Sequence, residues 1–509
     1  MNVWDLLADT ARDRPEHRAL CRSGQRLDYR AAEAQARAFA AALVERGVAA
    51  GDRVACLMHN DVEFWLAYFA CAAAGAVLVP LNTRLAPAEL RQILAHAGAA
   101  LVLHDAAHAE RAVELGVGLS RGAYDAAACV AAGGTAGFAP RLAASDAPTQ
   151  LYYTSGTTGQ PKGVVLTHRN VVAHARAAIA ELGLCADDTW AHVAPMFHLA
   201  DAWATFAITA VGGRHVFLPH FTAVAALDLL VAERVTITNL VPTMLNLMVK
   251  EPDAGARRYA LRTMLSGGAP IAPDVVRRIL ATFGCDYVQT YGMTETSPYL
   301  TLSLLSPELQ RLPPEQQLHW SCKTGRAFHG VELKVVDAAG APIAADGSAV
   351  GEIRVRGVTV TPGYWRDPAA TAAAFDADGF LCTGDLATID GHGYVDIVDR
   401  KKDVIKTGAE TVYSVEVEHA LYAHPAVLEC AVVGVPDATW GERVVAAVVL
   451  RPQHMATADE LLAFCRTRIA GFKTPKQIEF VAALPRTGSG KIQKRAVRDQ
   501  LARRFGGPA

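Results

Sequence analysis

Residues Tyr153-Thr154-Ser155-Gly156-Thr157-Thr158-Gly159-Gln160-Pro161-Lys162-Gly163-Val164 carry the densest chemistry in the chain. Three glycines, four small hydroxyl side chains and one lysine follow the apolar pair Leu151-Tyr152. Glycine lets backbone N–H groups turn toward a common point, and hydroxyls with a lysine add donors and charge, so the segment reads as a loop that cradles phosphate. Its spacing departs from G-x-x-x-x-G-K-[ST], so it is not the usual P-loop. A connecting loop has no need of such a concentration of Thr and Gly closed by Pro161-Lys162.

Further along stand other short polar motifs. Gly267-Gly268-Ala269-Pro270 comes first, followed by Gln289-Thr290-Tyr291-Gly292-Met293-Thr294-Glu295. Then come Gly351-Glu352-Ile353 with Gly357 and Gly363-Tyr364, Thr383-Gly384-Asp385, and Asp399-Arg400-Lys401-Lys402-Asp403. Pro485-Arg486-Thr487-Gly488-Ser489-Gly490-Lys491 closes the series. Together with the 153–164 loop they resemble, in order, the signatures of the adenylate-forming superfamily of acyl-CoA synthetases, peptide-synthetase adenylation domains and luciferases. The chain looks most like bacterial fatty-acid or aryl-acid CoA ligases.

The resemblance implies ATP and Mg²⁺ as cofactors and a small-molecule carboxylic acid as substrate. The acid is activated as its acyl-AMP and passed to a thiol, with coenzyme A as the expected co-substrate. The alternative is a ligase of the same fold that serves an amine, a carrier-protein thiol or another nucleophile. Thr154, Ser155, Gly156, Thr157, Thr158 and Lys162 would cradle the phosphates. Gly268, Ala269 and Pro270 with Tyr291 and Gly292 would hold adenine, the Tyr291 ring offering a stacking face.

Asp385 would accept the ribose hydroxyls, and Arg400 would add a ribose or phosphate contact. Thr294 would donate to phosphate and Glu295 would be the metal ligand, in keeping with the oxygen donors Mg²⁺ takes. Lys491 would bridge the acid and the phosphorus as charge develops. His198, in Met196-Phe197-His198, stands where the family carries an aromatic or imidazole gate at the acid pocket. Trp203, Val241 and Met244 are candidates either for that pocket's apolar wall or for the core. Amino-acid-activating relatives have an aspartate where this chain has His198, so the expected acid lacks an α-amino group; Asp201 is the nearby carboxylate that bears on this.

The motif that bears on the acceptor departs from the family pattern. After the hinge the family commonly carries Gly-Gly-Glu-Asn followed by Tyr-Pro, whereas this chain reads Gly408-Ala409-Glu410-Thr411-Val412-Tyr413-Ser414. Ala409 sets a methyl group beside the expected pantetheine channel, and Ser414 in place of proline is read as a helix N-cap.

These residues need scaffolding, and 509 residues exceed what one core sustains, so at least two domains are expected. Helical periods alternate with short apolar runs. A helix over 29–46 stops at Gly47, strands follow over 53–58 and 77–81, and further strands fall at 191–193, 215–218 and 238–241. The expected fold is α/β: a large N-terminal domain of parallel-sheet βα layers with a β-rich part near 330–400, then a small mobile α+β domain. The boundaries are 1–399, a hinge at 400–403 and 404–509. The small domain is expected to hold a helix over 414–423, strands over 427–433 and 444–450, a helix over 459–469 and a basic tail.

Residues 64–81 lack charge and approach the roughly 20 residues needed to span a bilayer, but they read as helix, Gly75 and buried strand, so no membrane span is expected. The formal charge of −2 argues against nucleic acid. Ten scattered cysteines without C-x-x-C spacing, and an N-terminus unlike a signal peptide, point to the cytoplasm.

Lys491→Ala should leave the protein folded and slow acid-dependent pyrophosphate exchange by roughly 10²–10³, the usual cost of removing one donor aimed at the transition state. Exchange near the wild-type rate would remove Lys491 from its expected role.

Overall fold

The computed structural model of the chain describes residues 1–22, 24–134, 137–155, 161–269, 271, 273–408, 410–486 and 492–505. It divides into two compact units, one of residues 1–332 with 355–381 and the other of 333–354 with 382–509.

The first unit contains two sheets. One has six strands in the order Ala123–Asp125, Ala99–His104, Arg53–Leu57, Val77–Pro80, Pro148–Ser155, Pro161–Thr167, parallel except for the last pair. In the second sheet, Asp286–Gly292, Thr263–Gly267, Ile237–Leu240, Thr189–His192, Arg214–Phe217 and Arg18–Arg22 run parallel side by side. Antiparallel strands Gln25–Asp28 and Tyr299–Leu302 flank them. Helices Val3–Asp13, Tyr29–Glu45, Val62–Ala74, His168–Leu182 and Leu199–Val211 share one continuous core with residues of both sheets. They form a middle layer, and separate cores cover the outer face of each sheet.

A helix with a sheet on each side must be apolar all round. Val62–Ala74 meets that demand, since every residue but Glu63 is buried. Its alanines keep the layer thin, and Gly75 ends it in the left-handed conformation at φ 71° before strand Val77–Pro80. The charge-free run is thus a core helix and strand. Among the described residues no helix is long and apolar enough to cross a membrane.

In the second unit, strands Val331–Val336, Gly351–Gly357, Leu381–Ile389 and Tyr394–Arg400 lie side by side in that order. A second sheet is built on the hairpin Val427–Asp437 and Gly441–Leu450, with Gln477–Phe480 parallel to the latter. This hairpin is longer than the sequence suggests. Gly434, Val435 and Pro436 look like turn residues, yet they stay paired with Val444, Arg443 and Glu442, and the turn comes only after Asp437. Helices Ser414–Tyr422 and Ala458–Arg466 cover one face, and the basic tail is a helix, Lys494–Phe505, on the other.

Ser414 is the first helical residue and not the N-cap, which is Tyr413. Its N–H and hydroxyl both donate to the buried carboxylate of Asp399, and Lys494 Nζ donates to Ser414 Oγ at 2.6 Å.

Two histidines in the first unit are buried in neutral form. Burial holds His174 down to about 3, among the rings of Trp203, Tyr299 and Phe328 at 5.6, 5.3 and 5.1 Å. Burial, aided by the N-terminal charge, holds His168 down to about 4, and its Nδ1 accepts from Val3 N–H at 3.2 Å. The unfolded chain binds protons that these rings refuse when folded. Their contribution is therefore complete above the unfolded pKa near 6.5 and is lost as pH falls toward the folded values. The urea midpoint should fall between pH 6.5 and 5, above the range where carboxylates titrate, by up to about 1.4 kcal/mol per pH unit for each ring. His174→Phe should flatten the slope; a flat wild-type profile would contradict the neutral burial.

Candidate active site

The phosphate-cradle segment is a hairpin. Strands Pro148–Ser155 and Pro161–Thr167 pair antiparallel with Tyr153 opposite Gly163, Thr154 opposite Lys162 and Ser155 opposite Pro161. Strand pairing therefore takes in both ends of the motif. Gly156, Thr157, Thr158 and the side chain of Ser155 lie outside the described residues.

Residues 361–365 run along the outer edge of the returning strand. Val165 N–H donates to the Gly363 carbonyl at 3.1 Å, Trp365 N–H to that of Gly163 at 2.7 Å, and Thr361 Oγ1 to that of Val165 at 2.6 Å. This places Tyr364 between two of the expected site residues. Lys162 Nζ stands 4.9 Å above its ring, a cation–π contact, and its phenol donates to Glu295 Oε1 at 2.9 Å. In the sequence Tyr364 stood out only as part of the β-rich motif. Burial and the nearby Glu295 carboxylate push its phenol up, so it remains a proton donor.

Glu295 is itself buried, in the one-turn 3-10 helix Thr294–Thr296 that ends strand Asp286–Gly292. Its carbonyl accepts from Thr361 N–H at 2.7 Å, so backbone and side chain both tie this turn to the 361–365 segment. The neighbouring parallel strand Thr263–Gly267 ends alongside, with Gly267 opposite Thr290. Gly268, Ala269 and Tyr291 thus gather at one edge of the sheet, where ligands bind in open parallel sheets. Gly268 needs its φ of 85°. At Gly292 a Cβ would run into the Pro298 carbonyl. Pro270 lies outside the described residues.

His198 is half-buried, just ahead of helix Leu199–Val211, with its ring 4.7 Å from Phe197. The Met196-Phe197-His198 segment is fixed from below. Asn60 donates to the carbonyls of His192 and Ala194 at 3.0 and 2.8 Å and accepts from Met196 N–H at 2.7 Å, while the Tyr68 phenol donates to the Met196 carbonyl at 2.7 Å.

Asp201 points away from solvent. It is completely buried, 2.5 Å from His192 Nδ1, and accepts from Trp190 Nε1 at 3.3 Å. His192 Nε2 continues to His215 Nδ1 at 3.0 Å, and His215 Nε2 to Thr209 at 3.1 Å. Burial pushes the Asp201 carboxyl up while His192 pulls it down. Of the wall candidates, Trp203 is a core residue, 1% exposed and stacked edge-on with Trp190 at 5.0 Å. Met244 is only partly buried and packs on the core at the other face of the sheet, and Val241 is half-buried just ahead of helix Pro242–Met248.

In the second unit Asp385 is buried and faces Arg400 across the pairing of Leu381–Ile389 with Tyr394–Arg400, Oδ1 to Nε 3.1 Å. Lys491 lies outside the described residues; the flanking Arg486 and Ile492 form an antiparallel bridge.

A hydroxyl-rich hairpin with a lysine, a buried glutamate and glycine-lined strand ends thus stand together in the α/β unit. Over residues 7–365 the chain matches the family of AMP-binding enzymes, and over 416–491 that family's C-terminal domain; it belongs to this family.

The chain is 39% identical over 502 residues to a feruloyl-CoA synthase of Amycolatopsis sp., covering 97% of each chain. To a long-chain-fatty-acid–CoA ligase of Thermus thermophilus it is 35% identical, covering all of this chain and 97% of the other. Its structure resembles that of O-succinylbenzoate coenzyme A synthetase from Bacillus subtilis in complex with ATP and magnesium ion. There the TM-score is 0.84 at 30% identity, with coverage of 98% of this chain and 99% of that one.

Asn60→Ala removes three buried hydrogen bonds beneath the 192–198 segment and should cost roughly 2–4 kcal/mol of stability. Thermal melts check the loss. A variant as stable as wild type would show that Asn60 does not hold this segment.

Proposed function

We propose that the chain is an ATP-dependent, AMP-forming acid–CoA ligase. In the first half-reaction a carboxylate oxygen attacks the α-phosphorus of ATP, the bond to the β-phosphate breaks, and pyrophosphate leaves with that electron pair. In the second, the thiolate of coenzyme A attacks the acyl carbon and AMP leaves, its oxygen taking the bonding electrons. The observation that carries this reading is the meeting of Lys162, Tyr364 and Glu295 beside the hydroxyl-rich hairpin.

The acid and the triphosphate are both anions, so the site must neutralise charge before they can meet. Lys162 and the backbone of the hairpin serve the phosphates. A carboxylate suits a hard cation, and Glu295 would hold Mg²⁺, whose chemistry here is to offset phosphate charge, while Thr294 would donate its hydroxyl to phosphate. Tyr364 fixes the glutamate in place. Gly268, Ala269 and the Tyr291 ring hold adenine; Asp385 and Arg400 take the ribose. Lys491 supplies the cation at the reacting centre, and residues 400–403, with Lys402 at their centre, are the hinge between the domains 1–399 and 404–509.

The substrate is an aryl or aliphatic acid without an α-amino group. Asp201 is consumed by His192 and Trp190 and offers nothing to a substrate ammonium. His198 is the gate to the acid pocket, with Val241 and Met244 on its wall.

A second acceptor reading rests on Ala409, which lies outside the described residues: a methyl beside the thiol channel favours another nucleophile. The flanking Gly408 has φ 57° and lies against the Trp440 ring, where a Cβ would come within 2.7 Å of it. The free thiols of all ten cysteines favour a reducing compartment, the cytoplasm.

A screen of acids by pyrophosphate release, run with and without coenzyme A, tests the whole reading. Aryl or fatty acids should release pyrophosphate, and coenzyme A should convert the bound adenylate to thioester. Preference for free amino acids would refute the substrate class. Adenylate that accumulates unchanged in the presence of coenzyme A would refute the acceptor.

A further inference from the structure

The six-stranded sheet of the first unit has a point where neighbouring strands send the chain in opposite directions. From Arg53–Leu57 it crosses through helix Val62–Ala74 to Val77–Pro80 on one side. From Ala99–His104 it crosses through helix Ala109–Gly116 to Ala123–Asp125 on the other. The two strands are adjacent and parallel, with Leu57 opposite His104, so the loops that follow them diverge from one edge. Such a switch point leaves a crevice where ligands bind. The two loops carry His59, Asp105 and His108, none of which takes part in the nucleotide or acid sites.

Asp105 is rigidly held: His59 N–H donates to its Oδ2 at 2.8 Å and His108 N–H to its Oδ1 at 3.0 Å. The same oxygens meet both imidazoles, Oδ2 with His59 Nδ1 at 3.2 Å and Oδ1 with His108 Nδ1 at 2.6 Å. The two rings lie 4.3 Å apart, and a third, His220, lies 4.3 Å from His59. It arrives from beyond strand Arg214–Phe217 of the other sheet.

One ligand atom from each of His59, Asp105 and His108 falls within 4.8 Å of the other two. Ligands on an ion at about 2.0–2.2 Å are about 3.4 Å apart in a tetrahedron, so side-chain torsions alone can close the set. The side chains are only 24, 26 and 11% exposed, which shields an ion while leaving a way in.

We propose that this crevice is a site for one divalent transition-metal ion of the zinc type, bound by His59, Asp105 and His108, with His220 packed beside His59. Imidazole nitrogens with one carboxylate suit zinc and its neighbours, whereas Mg²⁺ and Ca²⁺ take oxygen alone. The ion would staple together the two loops that diverge at the switch point. Because Asn60, next to His59, pins residues 192–196, occupancy would also stiffen the segment leading to His198.

Chelator-treated full-length protein should take up one equivalent of Co²⁺, with visible absorption that Zn²⁺ abolishes and a large excess of Mg²⁺ does not. The affinity should fall at least 10- to 100-fold in His59→Ala and in His108→Ala. Zn²⁺ should raise the melting temperature of wild type but not of the double variant. No uptake by wild type would overturn the proposal. So would undiminished uptake by a folded double variant, which would place the ion elsewhere, for instance on the exposed thiol of Cys185. Should the double variant not fold, His108→Gln alone decides, and unchanged Co²⁺ affinity in it overturns the site. No acid, ATP or coenzyme A enters these measurements, so their failure leaves the ligase reading standing.

Discussion

Repulsion between a carboxylate and a triphosphate is the constraint around which the first unit is arranged. Two unit charges 4 Å apart oppose each other by about 1 kcal/mol in water and about 4 kcal/mol in a partly buried site. A protein that must bring them together has to decide where each of its own carboxylates points. Glu295 stays at the site but is committed to the phenol of Tyr364, which itself stands under Lys162. Asp201, only three residues beyond His198, is turned into the core and bound to His192 and Trp190. Both carboxylates are therefore charges with an assigned partner.

The same arrangement relies on parallel strands ending at a common edge. Thr263–Gly267 and Asp286–Gly292 deliver Gly268 and Tyr291 side by side, and the 3-10 turn at Thr294–Thr296 carries Glu295 to where residues 361–365 can hold it. None of these elements reaches the site alone. The middle helix layer, thin because it is rich in alanine, lets the two sheets share one core.

Much of this was legible in the sequence because local signals and tertiary demand agree. The helix at Tyr29–Glu45, the strands around Arg53, Val77 and Arg214, and the order of the polar motifs all stand as read. What could not be read has physical reasons. The hairpin flanking residues 156–160 was hidden because glycine, proline and threonine look like loop even where cross-strand pairing holds them. Val427–Asp437 outruns its apolar stretch because partner hydrogen bonds override a Gly and a Pro near its end. Tyr364 is 69 residues from Glu295, and no local pattern announces that contact. The burial of Asp201 depends on His192 and His215 from two neighbouring strands, so a helix carrying one aspartate gives no warning of it. His59, Asp105 and His108 are brought together because strands far apart in the sequence are neighbours in the sheet.

The chain of contacts from Trp190 and Asp201 through His192 and His215 to Thr209 also bears on how this part of the first unit can be redesigned. Every member is buried, and each offers the donor or acceptor that its neighbour lacks. Replacing one strands the next without a partner in a medium that cannot hydrate it. Helix Leu199–Val211, which carries Asp201 and Thr209, can therefore be exchanged only as a set with both strands.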